Sequence, residues 1–417
     1  MPLLTSFLNA KRLRDYPRLI FAAVLIATAA NLLTRNGWQD AAGNIFGNDF
    51  LMMYAGGVIY NTQPAMLFDF GYHAGVQASL VAPAPMYGAI PYNYPPYMAA
   101  FMGLVTRMLP LSSAFIILTL LSVALTAAGA AWAQQVLAPD WLKKAGLSAT
   151  QMAILVLSCF PFIEGLKVGQ NHGLTFFLAA GIVIATLSGR SFLAGALAAL
   201  TAYKPQFALG FLLLWLIWRD YKAILGYGVV AGIWGGLTLL QSGWGMYQAY
   251  IDYLPVMLKM PYIENYATYL MMTPYGLLLT LFPQKDWQGI MMFSNLLTVF
   301  CTLALGWYAF TLRNDPLKKR SPALAMALLY PILATPQVLL HDSLTLALFF
   351  LIWTQTERSR RLLYTAIVVY LGSFLLAPIS RAIHIPLMAF VPPVLAIFYI
   401  QNLWQVQRAS KEADPHD

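Results

Sequence analysis

The sequence predicts an all-α polytopic membrane protein. Hydrophobic residues make up 59% of the 417 positions and charged residues only 10%, whereas soluble domains carry about 25% charged residues. The apolar residues stand in long blocks separated by short polar stretches. Blocks such as 207–218 do not alternate apolar and polar residues, as strands of a membrane barrel would. These observations exclude a soluble single-core domain and favour membrane-spanning helices.

About twelve spans are predicted within one integral membrane domain covering 1–417. An apolar helix needs about 20 residues to cross a bilayer, and shorter or broken helices occur where the interior of a bundle is polar. The two segments 191–204 and 206–218 are short, and they are expected to form a V-shaped pair around Lys204-Pro205. The predicted spans are 19–35, 111–137, 147–163, 171–188, 191–204, 206–218, 223–241, 288–311, 321–336, 342–355, 361–377 and 386–402.

The distribution of basic residues orients these spans. Lys and Arg concentrate in cytoplasmic loops, and 18 of the 25 fall on one side of the predicted set. Both termini are therefore expected in the cytoplasm, with the protein in the cell's inner (plasma) membrane. The first span also resembles a cleavable signal peptide ending near Ala30, but an uncleaved helix is preferred. The seven cations on the periplasmic side are Arg35, Arg107, Lys167, Lys204, Lys259, Lys285 and Arg381.

Two large periplasmic loops are predicted. The first, 36–110, contains many polar and aromatic residues, and its apolar stretch 98–108 suits a helix lying on the outer surface better than a span. The second, 242–287, is rich in Tyr, Trp and Met, which favour the membrane interface. Membrane lipids are therefore expected to contact this loop.

Several polar clusters fall at the periplasmic ends of the predicted helices. Charges at membrane depth are costly, and they usually face an interior cavity. One polar cavity is therefore expected at this face. Asp49 is the first carboxylate after the first span and suits a general base. Cations and histidines suit a phosphate leaving group, and amides suit sugar hydroxyls. The clusters contain Lys167, Gln170, Asn171 and His172; Lys204 and Gln206; His341 and Asp342; and Arg381 with His384.

Structural roles are open for the same residues. Asp49, Asn171, His172, His341 and Asp342 suit helix caps or turns. Lys167 is three positions from Glu164, which suits an ion pair on one helix face. The long side chain of Lys204 could reach the membrane interface, and Arg381 could serve as an anchor there. Asp69 is a rival acid, but Phe68-Asp69-Phe70-Gly71 is more typical of a turn. No His or Cys spacing predicts a metal site, and the scattered basic residues do not favour nucleic acid as a partner.

The order of several short motifs resembles a known family. Asn48-Asp49-Phe50 with Tyr54 resembles the first loop of C-type membrane glycosyltransferases. Four further motifs make the chain similar to glycosyltransferase family 87, the polyprenol-phosphate-mannose-dependent transferases and their relatives. They are Tyr94-Pro95-Pro96, Gly169-Gln170-Asn171, Lys204-Pro205-Gln206, and Thr335-Pro336 with His341.

The resemblance implies a C-type glycosyltransferase fold with a large first periplasmic loop. It also implies an inverting transfer of a sugar, mannose in the best-known members, from a polyprenyl phosphate to a hydroxyl of a glycolipid or glycan. Asp49 would be the catalytic base, and no cofactor would be needed beyond this donor substrate. The residues expected to bind the donor phosphate and sugar are Lys204, His341, Arg381, Lys167, Gln170, Asn171, His172, Gln206 and Asp342.

Two other functions are weighed against this one. A transporter or flippase often shows a repeat between its halves and a midplane site, and the sequence shows no fixed-period repeat. A lipid-linked polymerase or ligase would be expected to carry arginines in a large later periplasmic loop. The loop 242–287 contains only Lys259 and Lys285 as cations. The sequence therefore favours the transferase.

Overall fold

The computed structural model describes residues 10–34, 37–40, 43–86, 88–262, 266–282 and 287–413. Two of the predicted periplasmic cations, Arg35 and Lys285, lie outside these ranges. Within them the secondary structure is helical, and the extended contacts amount to two isolated bridges, Gln39 with Ile45 and Met271 with Leu339. The predicted all-α class is confirmed.

In the described ranges, five helices are long and apolar enough to cross a membrane. A sixth crossing is possible if the bent pair Ala149–Leu157 and Phe160–Val168 acts as one span. The count of twelve therefore stays a prediction, because several predicted spans form short helices instead. The five long segments are Leu111–Leu137, Tyr221–Ser242, Trp287–Thr311, Arg361–Ile383 and Leu387–Val406.

Three short apolar helices form much of the interior. His172–Leu187 and Ser321–Ala334 are almost wholly buried, and Gln206–Ile217 buries about half of its residues. A helix that is hydrophobic all round packs inside a protein and needs no polar face. By contrast, Trp307 on Trp287–Thr311 is 72% exposed, as expected for a lipid-facing side chain.

The remaining helices are shorter or flank these. Helix Ala10–Thr34 contains most of the first predicted span. The others are Asn48–Thr62, Phe70–Val81, Pro96–Met108, Asp140–Lys144, Ser191–Ala199, Trp244–Lys259, Pro274–Leu281 and Leu346–Thr356. The last two of the five long segments belong to helices Arg360–Ile383 and Val391–Ala413. Short 3-10 turns lie at Pro64–Met66, Met260–Tyr262, Thr268–Leu270, Leu317–Arg320, Leu340–Thr345 and Leu387–Phe390.

The predicted span 147–163 contains a break. Helix Ala149–Leu157 ends before Ser158, and Phe160–Val168 begins with Pro161 in its first turn, so the two axes differ by 58°. Proline lacks the N–H that would continue the first helix but suits the first turn of the second. The bend precedes the polar turn at Gly169-Gln170, and it is part of what positions that turn.

Small residues allow close helix packing at the start of the V-shaped pair. A methyl group on Gly195 would lie 1.8 Å from the carbonyl oxygen of Ala223, and one on Gly226 would lie 2.1 Å from that of Phe192. Helices Ser191–Ala199 and Tyr221–Ser242 therefore touch backbone to backbone, as glycine pairs allow in membranes. The first helix of the pair ends at Ala199, and the second begins at Gln206, which leaves Lys204 in the turn between them.

Both large loops fold onto the bundle. In the first loop, the Gly47 amide donates to the Lys167 carbonyl at 3.1 Å, and helix Pro96–Met108 occupies the predicted 98–108 stretch. In the second, the Met272 amide donates to the Val338 carbonyl at 2.8 Å. Phe68 of the first loop stacks near Tyr250 of the second, with ring centroids 5.7 Å apart. The two loops thus contact each other, and the second also contacts the segment that leads to His341.

Candidate active site

The side-chain amide of Gln170 lies at the centre of a buried polar cluster. Its Nε2 donates to Asp49 Oδ2 at 2.7 Å. Its Oε1 accepts from Lys204 Nζ at 3.1 Å and from the Tyr94 hydroxyl at 3.3 Å. An ammonium group can only donate, so Lys204 identifies the oxygen end of the amide and leaves the nitrogen facing Asp49. Four distant segments of the chain are joined through this one side chain.

Lys204 also pairs with Asp342. Its Nζ donates to Asp342 Oδ1 at 2.6 Å, with side chains only 10% and 5% exposed. Asp342 Oδ2 lies 3.7 Å from His341 Nε2. A buried ion pair needs further hydrogen bonds to offset the loss of hydration, and Gln170 and His341 supply contacts on its two sides. Lys204 has three N–H donors, and these contacts use two of them.

Helix ends position these side chains. Asp49 lies in the first turn of Asn48–Thr62, after Gly47 with φ +70°. The amide of Gly47 donates to the Lys167 carbonyl at 3.1 Å, which holds this helix start against the end of Phe160–Val168. Gly169 has φ +72°, and a methyl group there would lie 2.6 Å from Phe50 Cβ. Glycine therefore permits both the turn and the close approach that bring Gln170 to Asp49.

The Asp49 carboxyl lies among groups that oppose its ionisation and others that favour it. Burial raises the pKa of Asp49 to about 6, against the lowering influence of the Gln170 hydrogen bond and the Lys204 charge. The residue nevertheless keeps partial exposure. In the described part of the chain its second oxygen, Oδ1, has no protein partner. A pKa near neutrality and a free oxygen are what a general base requires.

Asn171 and His172 place unused polar atoms beside this cluster. Asn171 is 4% exposed and both of its side-chain atoms lack a partner among the described residues. His172 bonds the Gln170 carbonyl through Nδ1 at 3.1 Å, while its Nε2 has no partner there. The His172 and His341 rings are 6.4 Å apart. Buried polar groups are rarely left unpaired, so these atoms are candidates to contact a bound substrate.

Residues 92–336 match the sequence model of glycosyltransferase family 87. The match covers more than half of the 417 residues. The chain belongs to glycosyltransferase family 87. It is therefore a membrane glycosyltransferase. No curated protein sequence matches the chain. The matched range includes Gln170 and Lys204 but not Asp49 or Asp342, so it is the geometry that connects those two acids to the family region.

Among the described residues of this family 87 member, three of the expected donor-binding residues make no side-chain hydrogen bond to the polar cluster around Gln170. Gln206 donates to the Gln337 carbonyl at 3.4 Å and is half-buried. Lys167 is half-buried, and the described residues contain no ion pair between it and Glu164 within 4.0 Å. Arg381 is exposed in the last turn of Arg360–Ile383, with no hydrogen bond or ion pair among the described residues. Their binding roles stay predictions.

The structural alternatives are resolved for several residues. Asp69 caps helix Phe70–Val81 by accepting from the Tyr72 amide at 2.7 Å, as expected of a turn residue. Asp49, Asn171 and Asp342 make no capping hydrogen bond of this kind. The described residues also contain no group of three or more His, Cys, Asp or Glu side chains that could hold a metal ion.

Sequence reasoning missed three tyrosines of this site. Tyr94 was read only as part of a motif, yet its hydroxyl bonds Gln170. The Tyr203 hydroxyl lies 2.9 Å from Thr175 Oγ1, next to Lys204. Tyr266 of the second loop is close enough that burial and the charges of Asp49 and Asp342 raise its pKa. Tyr94 stands inside a family motif and Tyr203 directly precedes one, which are the signals that the sequence offers.

The glycosyltransferase also contains an apolar groove. Its volume is about 580 Å³, and almost all of its lining is hydrocarbon. Its lining residues include Ser343 and Leu344, which follow Asp342 in the sequence, as well as Leu142 and Arg14. Helices Ala149–Leu157, Leu346–Thr356 and Arg360–Ile383 form its walls. Such a groove suits one flexible hydrocarbon chain.

Proposed function

We propose that this family 87 enzyme transfers a sugar from a polyprenyl phosphate to an acceptor hydroxyl at the periplasmic face, with inversion. The observation that carries the proposal is the polar cluster around Gln170, which joins a carboxylate base to a buried cation. The apolar groove, whose lining includes Ser343 next to Asp342 in the sequence, supports it. A lipid-linked anionic donor has this combination of a charged group and a hydrocarbon chain. A water-soluble nucleotide sugar would not need the groove.

The reaction is a single displacement. The acceptor oxygen attacks the anomeric carbon while its proton passes to Asp49 Oδ1. The bond from that carbon to the phosphate oxygen breaks, and the polyprenyl phosphate leaves with the electron pair. Because attack and departure are on opposite faces of the sugar, the configuration inverts.

The departing phosphate needs neutralisation more than protonation, since it is already a good leaving group. We assign this role to the third N–H of Lys204 and to a hydrogen bond from His341. His172 donates to the Gln170 carbonyl through Nδ1, so the Nε2 of its neutral ring is an acceptor, which suits a sugar hydroxyl. Burial lowers the pKa of His341 to about 4, so at neutral pH this ring supplies a hydrogen bond and no charge. Preorganised donors of this kind typically contribute a factor of about 10² to 10³ in rate.

The donor chain is assigned to the groove and the acceptor to the partly open side of Asp49. Mannose is the sugar that the family resemblance favours. The acceptor class is a glycolipid or glycan hydroxyl, and it is reached beneath the two large loops. The distribution of basic residues supports cytoplasmic termini and a site on the periplasmic side of the inner membrane.

A transfer assay with purified protein tests the proposal. The protein in lipid nanodiscs is given polyprenyl phosphates carrying different sugars, or nucleotide sugars, together with a crude envelope glycolipid acceptor. Acceptor-dependent release of polyprenyl phosphate is expected, with a product of inverted anomeric configuration by NMR. Transfer from the nucleotide sugar alone would overturn the lipid donor, and a retained configuration would overturn the single displacement.

A further inference from the structure

The contacts of Gln170 bear on its predicted role as a ligand of the donor. Both ends of its amide are already used by the protein, Nε2 by Asp49 and Oε1 by Lys204 and Tyr94. Gln170 as a whole is only 7% exposed to solvent. An amide with this set of partners has little capacity left for a sugar hydroxyl. The group that it does contact is the proposed catalytic base.

We infer that Gln170 is a positioning residue, which holds the Asp49 carboxylate for proton transfer and couples it to Lys204. This inference rests on the proposed function of Asp49. The geometry is directional, because Lys204 and Tyr94 donate to Oε1 and so orient Nε2 towards Asp49. With Oδ2 engaged at 2.7 Å, Oδ1 is the oxygen left for the acceptor hydroxyl.

The coupling has a physical basis. A hydrogen bond from an amide N–H stabilises the ionised carboxylate. The Lys204 ammonium polarises the same amide from its oxygen end, and chains of hydrogen bonds polarise one another in a low-dielectric interior. Tyr94 adds a second donor to Oε1. Other charges facing Asp49 are Asp342 and Glu164, and both oppose its ionisation.

The test compares Gln170→Met with wild type through the pH profile of kcat/KM. Methionine keeps a similar length but removes all three side-chain hydrogen bonds of Gln170, so Asp49 should ionise less readily. We expect the acid limb to move to higher pH, kcat to fall about 10- to 100-fold, and the donor KM to change less than threefold. A raised donor KM with an unmoved acid limb would overturn the inference and restore the role as donor ligand.

Two further variants separate positioning from general damage. Tyr94→Phe removes one donor to Oε1 and should shift the acid limb in the same direction by a smaller amount. Gln134→Met removes the buried hydrogen bond of Gln134 to the Leu147 carbonyl, far from the site, and should lower Tm without moving the limb. A shift of the limb in Gln134→Met as large as that in Gln170→Met would contradict the inference.

A readout without turnover separates this inference from the proposed function. Infrared difference spectra across a pH titration report the protonated carboxyl stretch, and the Asp49→Asn variant identifies the Asp49 band. The band should titrate at higher pH in Gln170→Met than in wild type. If it does while no lipid donor is consumed, the proposed function fails and the positioning role stands. If the band does not move, the positioning role fails whatever the assay shows.

Discussion

The side-chain amide of Gln170 donates to the Asp49 carboxylate at 2.7 Å, although 121 positions separate the two residues in the sequence. Asp49 begins a helix of the first large loop, and Gln170 lies in the turn between two short helices. Through Gln170 the acid is also linked to Lys204 and then to Asp342. The acid in the loop and the cation in the bundle therefore belong to one site.

Replacing Asp49 by Asn should abolish turnover while the fold is retained. Asparagine keeps the shape and can still accept from Gln170, but it cannot take a proton. We expect a loss of about 10² to 10⁴ in kcat, measured by release of polyprenyl phosphate. Asp69→Asn is the matched control, since Asp69 only caps a helix, and it should keep near-normal kcat. Full activity in Asp49→Asn would remove the base assignment.

The rate should depend on pH with an acid limb near pH 6. Burial raises the pKa of Asp49 to about 6, so the base is ionised above this value and protonated below it. The kcat/KM of wild type is therefore expected to fall about tenfold per pH unit below pH 6. A limb near pH 4, the ordinary range of an aspartate, would contradict the desolvation of Asp49 seen in the structure.

The same pKa shift predicts a pH-dependent stability. The folded-state pKa is raised above the usual 3.8, so the folded protein binds this proton more tightly than the unfolded chain does. The stability from this group is fully present below about pH 4 and is lost as pH rises through 6. Asp49→Asn lacks the effect. The Tm of Asp49→Asn minus the Tm of wild type should therefore increase between pH 4 and pH 7. A difference in Tm that stays constant over this range would argue against the raised pKa of Asp49.

The Lys204–Asp342 pair should respond as a unit. Breaking a buried pair leaves one unpaired charge and typically costs about 3–5 kcal/mol. Lys204→Met and Asp342→Asn should each lower Tm substantially, whereas the double variant should be more stable than additivity of the two losses predicts. Thermal denaturation of the four proteins measures this coupling. Additive losses would show that the 2.6 Å contact contributes little.

Gly169 should tolerate no side chain. Its φ of +72° disfavours other residues, and a methyl group would lie 2.6 Å from Phe50 Cβ. Gly169→Ala is expected to lower both Tm and kcat, because the turn that holds Gln170 must shift. Gly75→Ala is the control, since nothing lies within 4 Å of the added methyl group and φ is ordinary there. Equal effects of the two substitutions would contradict the role of this turn.

The groove assignment predicts a dependence on donor chain length. Ala347 lines the groove, and Ala347→Phe should obstruct a long hydrocarbon chain. We expect the KM for a long-chain donor to rise about tenfold, while the KM for a donor with a short prenyl chain stays near that of wild type. Ala74→Phe in the first loop, outside the groove lining, serves as control. Equal effects on both donors would place the chain elsewhere.

The membrane class and the helical content could be predicted from the sequence alone. So could the presence of Asp49, Gln170, Lys204 and Asp342 among the candidate polar residues, which the structure brings into contact. Apolar blocks of helical length leave few alternatives in a bilayer, because unpaired backbone groups are excluded there. Charged side chains beside such blocks are also informative, because a charge at membrane depth is costly. The family resemblance read from those motifs agrees with the match over residues 92–336.

Only the tertiary structure decided which polar residues act together. Lys167 and Gln206 stand in the same sequence clusters as Gln170 and Lys204, yet only Gln170 and Lys204 contact Asp49 and Asp342. Apolar patterning likewise does not distinguish a span from a short buried helix, since both are hydrophobic on all sides. Hydrogen bonds that join residues more than a hundred positions apart depend on packing, and local sequence does not encode them.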